Sequence, residues 1–178
     1  MAQAARQTSG VLVPLLKLLL FTLLVPGSVT LWLPYSFYSS RLNLRSLSLS
    51  GFTAAGALLI AAGTAGYLWC ALDFAFQGRG TPAPIDPPKV LVVRGLYRFV
   101  RNPMYVSVLL ILLGESLLFG SLPLLRYAGV VAVFFHVFVW FYEEPALKTK
   151  FGSSYEDYCK RVRRWVPRIP HASGKDAL

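Results

Sequence analysis

The sequence predicts an all-α fold: a polytopic membrane bundle of about four transmembrane helices, followed by a C-terminal amphipathic helix at the membrane interface. Hydrophobic residues make up 55% of the 178-residue chain and charged residues only 15%. This is too apolar for an ordinary soluble domain of this length. Four apolar stretches approach the roughly 20 residues that a helix needs to cross a bilayer. The charged residues cluster outside these stretches, and the length suits a single membrane domain covering residues 1–178.

The predicted spans are residues 11–35, 51–76, 103–120 and 124–142. The first is irregular because Pro14, Lys17 and Pro26 interrupt it. We expect it to be a retained span, since it is longer than a signal-peptide core and no small-residue cleavage site follows. The second is rich in Gly and Ala, which favours close helix packing. Only Ser121-Leu-Pro123 separates the third from the fourth, so these two should be antiparallel neighbours.

The distribution of basic residues predicts the orientation in the membrane. The net charge is +10, and most of the Lys and Arg residues lie in the loop 77–102 and the C-terminal segment 143–178. By the positive-inside rule, both segments and both termini are expected on the cytoplasmic side. Attraction to anionic membrane lipids explains the charge, so no nucleic-acid partner is predicted. Cys70 and Cys159 lie in very different settings and form neither a disulfide nor a metal pattern.

The two segments that flank the last hairpin have distinct patterns. Four prolines between Pro82 and Pro88 exclude a regular helix there, so the 77–93 segment is either a plain linker or a rigid wall of a pocket. After the hairpin, Pro145 should end or kink the fourth helix, and Gly152 should terminate a short helix. The pattern from Ser153 to Glu156 is typical of a capping box. It begins a helix whose apolar face carries Tyr155, Tyr158, Val162 and Trp165, an interfacial anchor that could also help to close a site.

Polar side chains cluster on both sides of the apolar hairpin. A turn near residues 121–122 places Glu143 level with Val100, beside Tyr97, Arg101 and Asn102. The hairpin therefore gathers a carboxylate, tyrosines, an amide and a guanidinium at one membrane boundary. Singly, such residues are common interfacial anchors, but as a set they indicate a site.

Two ionisable residues lie inside the predicted spans. His136 is about two turns inward from Glu143, where it is either a general base or a neutral histidine that bonds to a neighbouring helix. A buried carboxylate at membrane depth needs a partner. Glu115 is therefore expected to pair with Arg126 near the opposite surface.

Two motifs carry a family resemblance. Gly95-Leu-Tyr97, followed by Arg101-Asn-Pro-Met-Tyr105, resembles the Gly-x-Tyr-x-x-x-Arg-His-Pro-x-Tyr signature of the isoprenylcysteine carboxyl methyltransferase family. Glu143-Glu144 followed by Leu147, Phe151-Gly152, Tyr155 and Tyr158 is similar to that family's C-terminal block. The resemblance covers about residues 77–170, and the two motifs occur in the order that the family has them. It is specific to a broad superfamily that includes membrane phospholipid N-methyltransferases.

The resemblance implies an integral, multi-pass membrane methyltransferase that binds S-adenosylmethionine without a Rossmann fold, in a pocket facing the cytoplasm. The acceptor would be a lipid-like or prenylated small molecule, and membrane lipids surround the chain. Arg101 and His136 are the candidate catalytic residues. The family's cofactor contacts fall on Lys89, Val90, Leu91, Val92, Tyr97, Asn102, Pro103, Met104, Tyr105 and Glu143.

The chain departs from the family pattern at two positions. Asn102 replaces the usual histidine, and Val139 stands where eukaryotic members carry an arginine associated with substrate. Arg101, Arg98 or Arg94 are the candidate replacements for that cation. The leading predicted reaction is carboxyl O-methylation of an isoprenylcysteine-like amphiphile. Phospholipid N-methylation, S-methylation of a small thiol, an NADPH-dependent membrane reductase and a non-catalytic scaffold stay open as alternatives, and nothing predicts the oligomeric state.

Overall fold

The computed structural model describes Leu16 and residues 18–38, 51–74 and 90–167. Four long helices form a bundle, α1 (Leu18–Ser36), α2 (Gly51–Asp73), α3 (Pro103–Leu118) and α4 (Leu122–Phe151), and a shorter helix α5 (Ser153–Arg161) follows. A 3₁₀ turn, Gly95–Arg98, precedes α3. Within these described ranges every named element is helical, and strand-like pairing is limited to one isolated bridge. The predicted all-α class is confirmed.

Helix α1 is widened by a π-helical turn over Ser28–Trp32. The hydroxyl of Ser28 donates to the carbonyls of Leu24 and Val25, at 2.6 and 2.8 Å, and that of Thr30 donates to the carbonyl of Pro26 at 2.8 Å. Side-chain hydroxyls thus satisfy backbone oxygens around the proline, as membrane helices require. The irregularity predicted from Pro26 is real, and the helix continues through it. Residues 11–15 and Lys17 lie outside the described part.

Helices α2 and α3 pack antiparallel at very short range. Gly56 lies against Gly114, and Gly63 lies against Ser107. A Cβ added at Gly56 would be 2.7 Å from the Gly114 carbonyl oxygen, so only hydrogen atoms fit between these backbones. The prediction that the glycines of the second span serve close packing is confirmed, and the partner is the third span.

The α3–α4 hairpin forms the rest of the apolar core. Gly120, at φ +57°, makes the turn, and the Ser121 hydroxyl accepts a 3.4 Å hydrogen bond from the Leu124 N–H at the start of α4. The buried core side chains come from α1, α2 and the two hairpin helices: Leu18, Tyr67, Ala71, Val108, Leu112, Ala128, Val131 and Phe135.

Helix α4 continues through Pro145, which therefore does not end it, and the short helix predicted to follow is the last part of α4, up to Phe151. The reason is a π-helical turn over Val139–Glu143, after which Glu144 N–H donates to the Val139 carbonyl. The turn shifts the hydrogen-bond register just before Pro145, which then occupies the first turn of a new α-helical stretch, where a missing N–H costs little.

The C-terminal helix differs from its prediction in two ways. Gly152, at φ +54°, ends α4 as predicted, but it also occupies the N-cap position of α5, so Ser153 lies within the helix and no side-chain cap forms. The predicted capping box is therefore wrong. The helix also ends at Arg161 instead of continuing through Trp165, because Val162 is extended, with φ −118° and ψ 131°.

Three helices of the described chain, α1, α2 and α4, are long and apolar enough to cross a membrane. Helix α3 is also apolar but has only 16 residues, about 24 Å at the helical rise.

On α3, Glu115 is 9% exposed, and its Oε2 has no hydrogen-bond partner among the described residues. The ion pairs of these residues do not include one between Glu115 and Arg126, so that expectation is not met.

Candidate active site

A cavity of about 350 Å³ opens where α2 ends, α3 begins and α4 makes its π-turn. Its size lies within the range of small-molecule sites. Its lining combines two kinds of side chain. We call the part lined by Tyr97, Arg101, Asn102, Tyr105, Glu143 and Glu144 the polar end, and the part lined by Phe21, Val25, Val29 and Phe138 of α1 and α4 the apolar end. The lining residues are Phe21, Val25, Pro26, Val29, Tyr67, Phe74, Leu91, Val92, Tyr97, Arg101, Asn102, Met104, Tyr105, Val108, Phe135, Phe138, Tyr142, Glu143, Glu144, Ala146, Leu147, Lys150, Tyr155 and Tyr158.

The carboxylate at the centre of the polar end belongs to Glu143. It is the last residue of the π-turn, a feature that often marks functional sites because it re-aims the helix face. The hydroxyl of Tyr105, in the first turns of α3, donates to Glu143 Oε2 at 2.7 Å. The Tyr105 ring in turn packs on Phe135, with centroids 4.6 Å apart.

The adjacent Glu144 is held in an ion-pair network. Arg164 donates two hydrogen bonds of 2.7 Å to its two oxygens, and Arg101 Nη1 lies 3.1 Å from Oε1. The same Arg101 nitrogen is 2.8 Å from the Cys159 sulfur. The Nε of Arg101 is buried and has no partner among the described residues. The two glutamates both line the cavity but differ in their contacts, and the assignment of Glu143 as the cofactor contact stays a prediction.

Buried phenols form a further wall of the cavity. Tyr97 lies on the 3₁₀ turn, and Tyr155 and Tyr158 lie on α5. The Tyr158 hydroxyl donates to the Tyr97 carbonyl at 2.7 Å, which fastens α5 to the segment before α3. Burial raises the pKa of Tyr97, Tyr155 and Tyr158, so all three are neutral near pH 7. The apolar face of α5 thus packs on protein around the cavity.

The structure brings most of the sequence-predicted site residues to this cavity. Those at its wall are Leu91, Val92, Tyr97, Arg101, Asn102, Met104, Tyr105 and Glu143. Three predicted residues are not among the lining side chains: Val90 is exposed, Pro103 is buried at the first turn of α3, and His136 faces elsewhere on α4. Lys89 and the proline-rich segment lie outside the described residues, so the choice between linker and wall stays open.

Asn102 and His136 both hold the chain after α5. The Asn102 side-chain amide donates to the Arg164 carbonyl at 3.1 Å. His136 Nδ1 accepts a 3.1 Å hydrogen bond from Trp165 Nε1. Of the two alternatives for His136, the contact seen here is the bond to a neighbouring segment. A catalytic role for His136 stays a prediction, as does one for Arg101.

Several cavity residues were not predicted from the sequence. Helix α1 supplies Phe21, Val25 and Val29, and α2 supplies Tyr67, whose hydroxyl lies 2.9 Å from that of Thr22 on α1. For α2, the sequence offered one signal of a cavity residue: Tyr67 is the only tyrosine in a span rich in Gly and Ala. The α1 residues carry none, because uniform apolar helices look alike in sequence whichever face lines a cavity.

Comparison with known proteins identifies the family. The profile of the phospholipid methyltransferase family matches residues 52–154, more than half of the chain. The chain belongs to the phospholipid methyltransferase family. The match covers α2 from residue 52 onward, all of α3 and α4, and the cavity residues up to Lys150, whereas Tyr155 and Tyr158 lie beyond it. It confirms the superfamily that the two motifs indicated.

Two relatives agree with this assignment. The chain is 34% identical over 88 residues to a protein-S-isoprenylcysteine O-methyltransferase of Schizosaccharomyces pombe, a match that covers 46% of this chain and 34% of that protein. It is 42% identical over 66 residues to an uncharacterized protein of Haemophilus influenzae, covering 35% of this chain and all of that protein. The chain thus spans about a third of the length of the S. pombe relative. No solved structure matches it significantly.

Proposed function

We propose that this chain is an S-adenosylmethionine-dependent membrane methyltransferase, with a cytoplasmic cofactor site, that methylates the carboxylate of an isoprenylcysteine-like or similar amphiphile. The observation that carries the proposal is that one cavity among the described residues is lined both by polar and by apolar side chains. The Glu143–Tyr105 pair marks the polar end, and α1 and α4 line the apolar end with Phe21, Val25 and Phe138. Such a cavity suits a polar donor and a lipid-like acceptor that meet at the membrane boundary.

The side chains at the polar end fit the cofactor chemically. Bound S-adenosylmethionine would supply an electrophilic methyl group on a positively charged sulfur. The Glu143 carboxylate can accept from amine or hydroxyl groups, and the tyrosine rings offer electron-rich faces to a cation. The buried Nε of Arg101, which lacks a partner among the described residues, suits a carboxylate. Glu143 and the tyrosines therefore form the proposed cofactor site, and Arg101 is assigned to the acceptor.

The catalytic contribution of the protein would be positioning and exclusion of water. A carboxylate acceptor needs no base, because it is already a nucleophile at neutral pH. Helix α5 closes over the cavity through Tyr155 and Tyr158, both nearly fully buried, and so shields the reacting groups. Holding donor and acceptor in line in such an environment supplies much of the acceleration of a displacement reaction.

An acceptor carboxylate needs a cation in the cavity. The position where eukaryotic members carry an arginine is taken by Val139, which is buried. Two cations line the cavity, Arg101 and Lys150, beside the carboxylates of Glu143 and Glu144. Arg94 and Arg98, the other proposed replacements, are exposed and are not among the lining residues. Arg101 is therefore our candidate for the residue that orients the acceptor carboxylate.

A second candidate function is N-methylation of a phospholipid amine. It is supported by the family to which the chain belongs. An ammonium group must first lose a proton, and Glu143 is the cavity carboxylate outside the arginine network of Glu144. Under this alternative Glu143 would be the base, and the acceptor would carry an ethanolamine head group.

The test is transfer of a labelled methyl group from S-adenosylmethionine into membranes that contain the protein. Glu143→Ala is compared with Glu156→Ala, which removes an exposed carboxylate that pairs with Lys148. We expect transfer by the wild type and by Glu156→Ala, and a loss of at least a hundredfold in Glu143→Ala. Prenylcysteine, ethanolamine phospholipid and a small thiol are offered as separate acceptors.

The chemical stability of the label distinguishes the functions. Methanol released by alkali indicates a carboxyl ester, and alkali-stable label in lipid indicates the amine reaction. Label on the small thiol identifies an S-methyltransferase. Background label with every acceptor contradicts the proposal and leaves a reductase, tested by NADPH oxidation, or a non-catalytic protein.

A further inference from the structure

The chain after α5 folds back as a strap, residues 162–165, against the entry of α3. Val100 and Arg163 form a parallel bridge, and the Arg101 N–H donates to the Arg163 carbonyl at 2.9 Å. Asn102 donates to the Arg164 carbonyl at 3.1 Å. Short extended pairing of this kind has little stability alone, so the side chains at its end must help to hold it.

Trp165 ends the strap and is anchored on α4. Its indole N–H donates to His136 Nδ1 at 3.1 Å, and the two rings are tilted, with centroids 6.0 Å apart. An indole needs a partner for its N–H when it is taken out of water, and His136 provides it.

The same indole touches the tyrosine that binds Glu143. Trp165 meets the Tyr105 ring edge to face, with centroids 6.4 Å apart, and Phe135 packs on that ring at 4.6 Å. Between these two aromatic neighbours the Tyr105 hydroxyl reaches Glu143 at 2.7 Å. Among the ring contacts of the described residues, Trp165 contacts both His136 and Tyr105. The other connection runs through Phe135, which precedes His136 in sequence and packs on Tyr105.

We propose that Trp165 is a positioning residue: anchored by His136, it holds the Tyr105 ring where its hydroxyl binds Glu143 at the polar end of the cavity. His136 then acts through Trp165 and not as a proton acceptor for the substrate. Of the two measurements below, only the kinetic one rests on the proposed function, because it requires methyl transfer. The orientation of Tyr105 is a property of the protein by itself.

The first measurement follows Tyr105 directly. 3-Fluorotyrosine is placed at position 105 of the full chain in detergent, and its ¹⁹F resonance is recorded. His136→Leu removes the acceptor and should shift or split the resonance. His136→Asn offers a side-chain oxygen near the place of Nδ1 and should restore the wild-type line. Trp140→Phe is the matched control and should change nothing, because Trp140 also contacts the imidazole, with centroids 5.7 Å apart, and phenylalanine keeps an aromatic face toward His136 and Arg164.

The second measurement is kinetic and uses Trp165→Phe, which keeps an aromatic ring but loses the donor. Trp165→Phe and His136→Leu should each raise the KM for S-adenosylmethionine by about 3- to 10-fold, the range of one net hydrogen bond. The double variant should match the singles, because both remove the same bond. His136→Asn should stay close to wild type.

Each outcome decides between the two roles. If His136→Asn is as inactive as His136→Leu while the Tyr105 resonance is unchanged, His136 is a base and the proposal is wrong. Independent, multiplying effects of the two substitutions also contradict it. If the wild type transfers no methyl group but the resonance responds as expected, the proposed function fails while the positioning role stands.

Discussion

The Tyr105 hydroxyl donates to Glu143 Oε2 at 2.7 Å across 38 positions of sequence, and so joins the start of α3 to the π-turn of α4. The bond lies where two separate motifs meet. It links the tyrosine that ends the first motif with the acid that begins the second. Everything we expect of the site depends on this pair keeping its geometry.

Tyr105→Phe removes one hydroxyl from the pair and keeps the ring contacts. We expect the KM for S-adenosylmethionine to rise about 3- to 10-fold, the range of one net hydrogen bond, because the bond that positions Glu143 is lost. The assay is initial-rate methyl transfer in reconstituted membranes. Tyr127→Phe is the control: it removes a hydroxyl that donates to the Val29 carbonyl at 2.9 Å, and its KM should stay within about twofold of wild type. Equal effects of the two substitutions would show that Tyr105 has no special role.

Glu144→Gln tests the ion-pair network that ties the strap and Arg101 to α4. Both arginines lose their anionic partner in a mostly buried setting, with side chains 14% to 26% exposed. Breaking such a pair leaves uncompensated charge, and we expect a loss of about 1–3 kcal/mol in the free energy of unfolding.

The control for the network is Glu156→Gln. Its pair with Lys148 is 3.0 Å long, but the side chains are 48% and 63% exposed. Exposed pairs contribute little, so the change should be under about 0.5 kcal/mol. Denaturation of detergent-solubilised protein measures both variants. A Glu144→Gln protein as stable as Glu156→Gln would count against a structural role for the network.

Gly114→Ala tests the close contact of α2 and α3. The new Cβ would lie 2.7 Å from the Gly56 carbonyl oxygen and 2.9 Å from the Ile60 nitrogen. Backbone atoms cannot rotate away, so the helices must separate, at a cost of about 1–3 kcal/mol. Gly129→Ala on α4 has open space around its Cβ and should be neutral or slightly stabilising. Thermal unfolding followed by circular dichroism distinguishes these outcomes.

Alkaline pH should destabilise the α5 wall. Burial raises the pKa of Tyr97 and Tyr158, so the folded state holds the neutral phenols. A pKa raised on folding contributes stability that is complete below the ordinary value of about 10 and is lost as the pH rises above it. The thermal unfolding midpoint should therefore decrease as the pH is raised from about 10 to about 11.5. The decrease should be smaller in Tyr158→Phe. Identical slopes in the two proteins would rule out Tyr158 as a source of the effect.

The sequence by itself determined the class, the helices and the family. Apolar runs of membrane length and basic flanks are local properties of the chain, so the all-α bundle and the limits of α2 and α3 followed closely from them. The two motifs identified the family, and most of their side chains line one cavity. Their order along the hairpin was enough to predict that Tyr97, Arg101, Asn102 and Glu143 meet.

Only the tertiary structure decided which of these side chains face the cavity and which make hydrogen bonds or ion pairs with other segments of the protein. The π-turn that carries α4 past Pro145, the strap at residues 162–165 and the partners of Glu144 all depend on contacts between distant segments. No local pattern distinguishes an α-helical from a π-helical turn, or the cavity face of α1 from its lipid face. Asn102 and His136 show the same limit: they are polar residues near a site, and the packing of the strap determines what they bind.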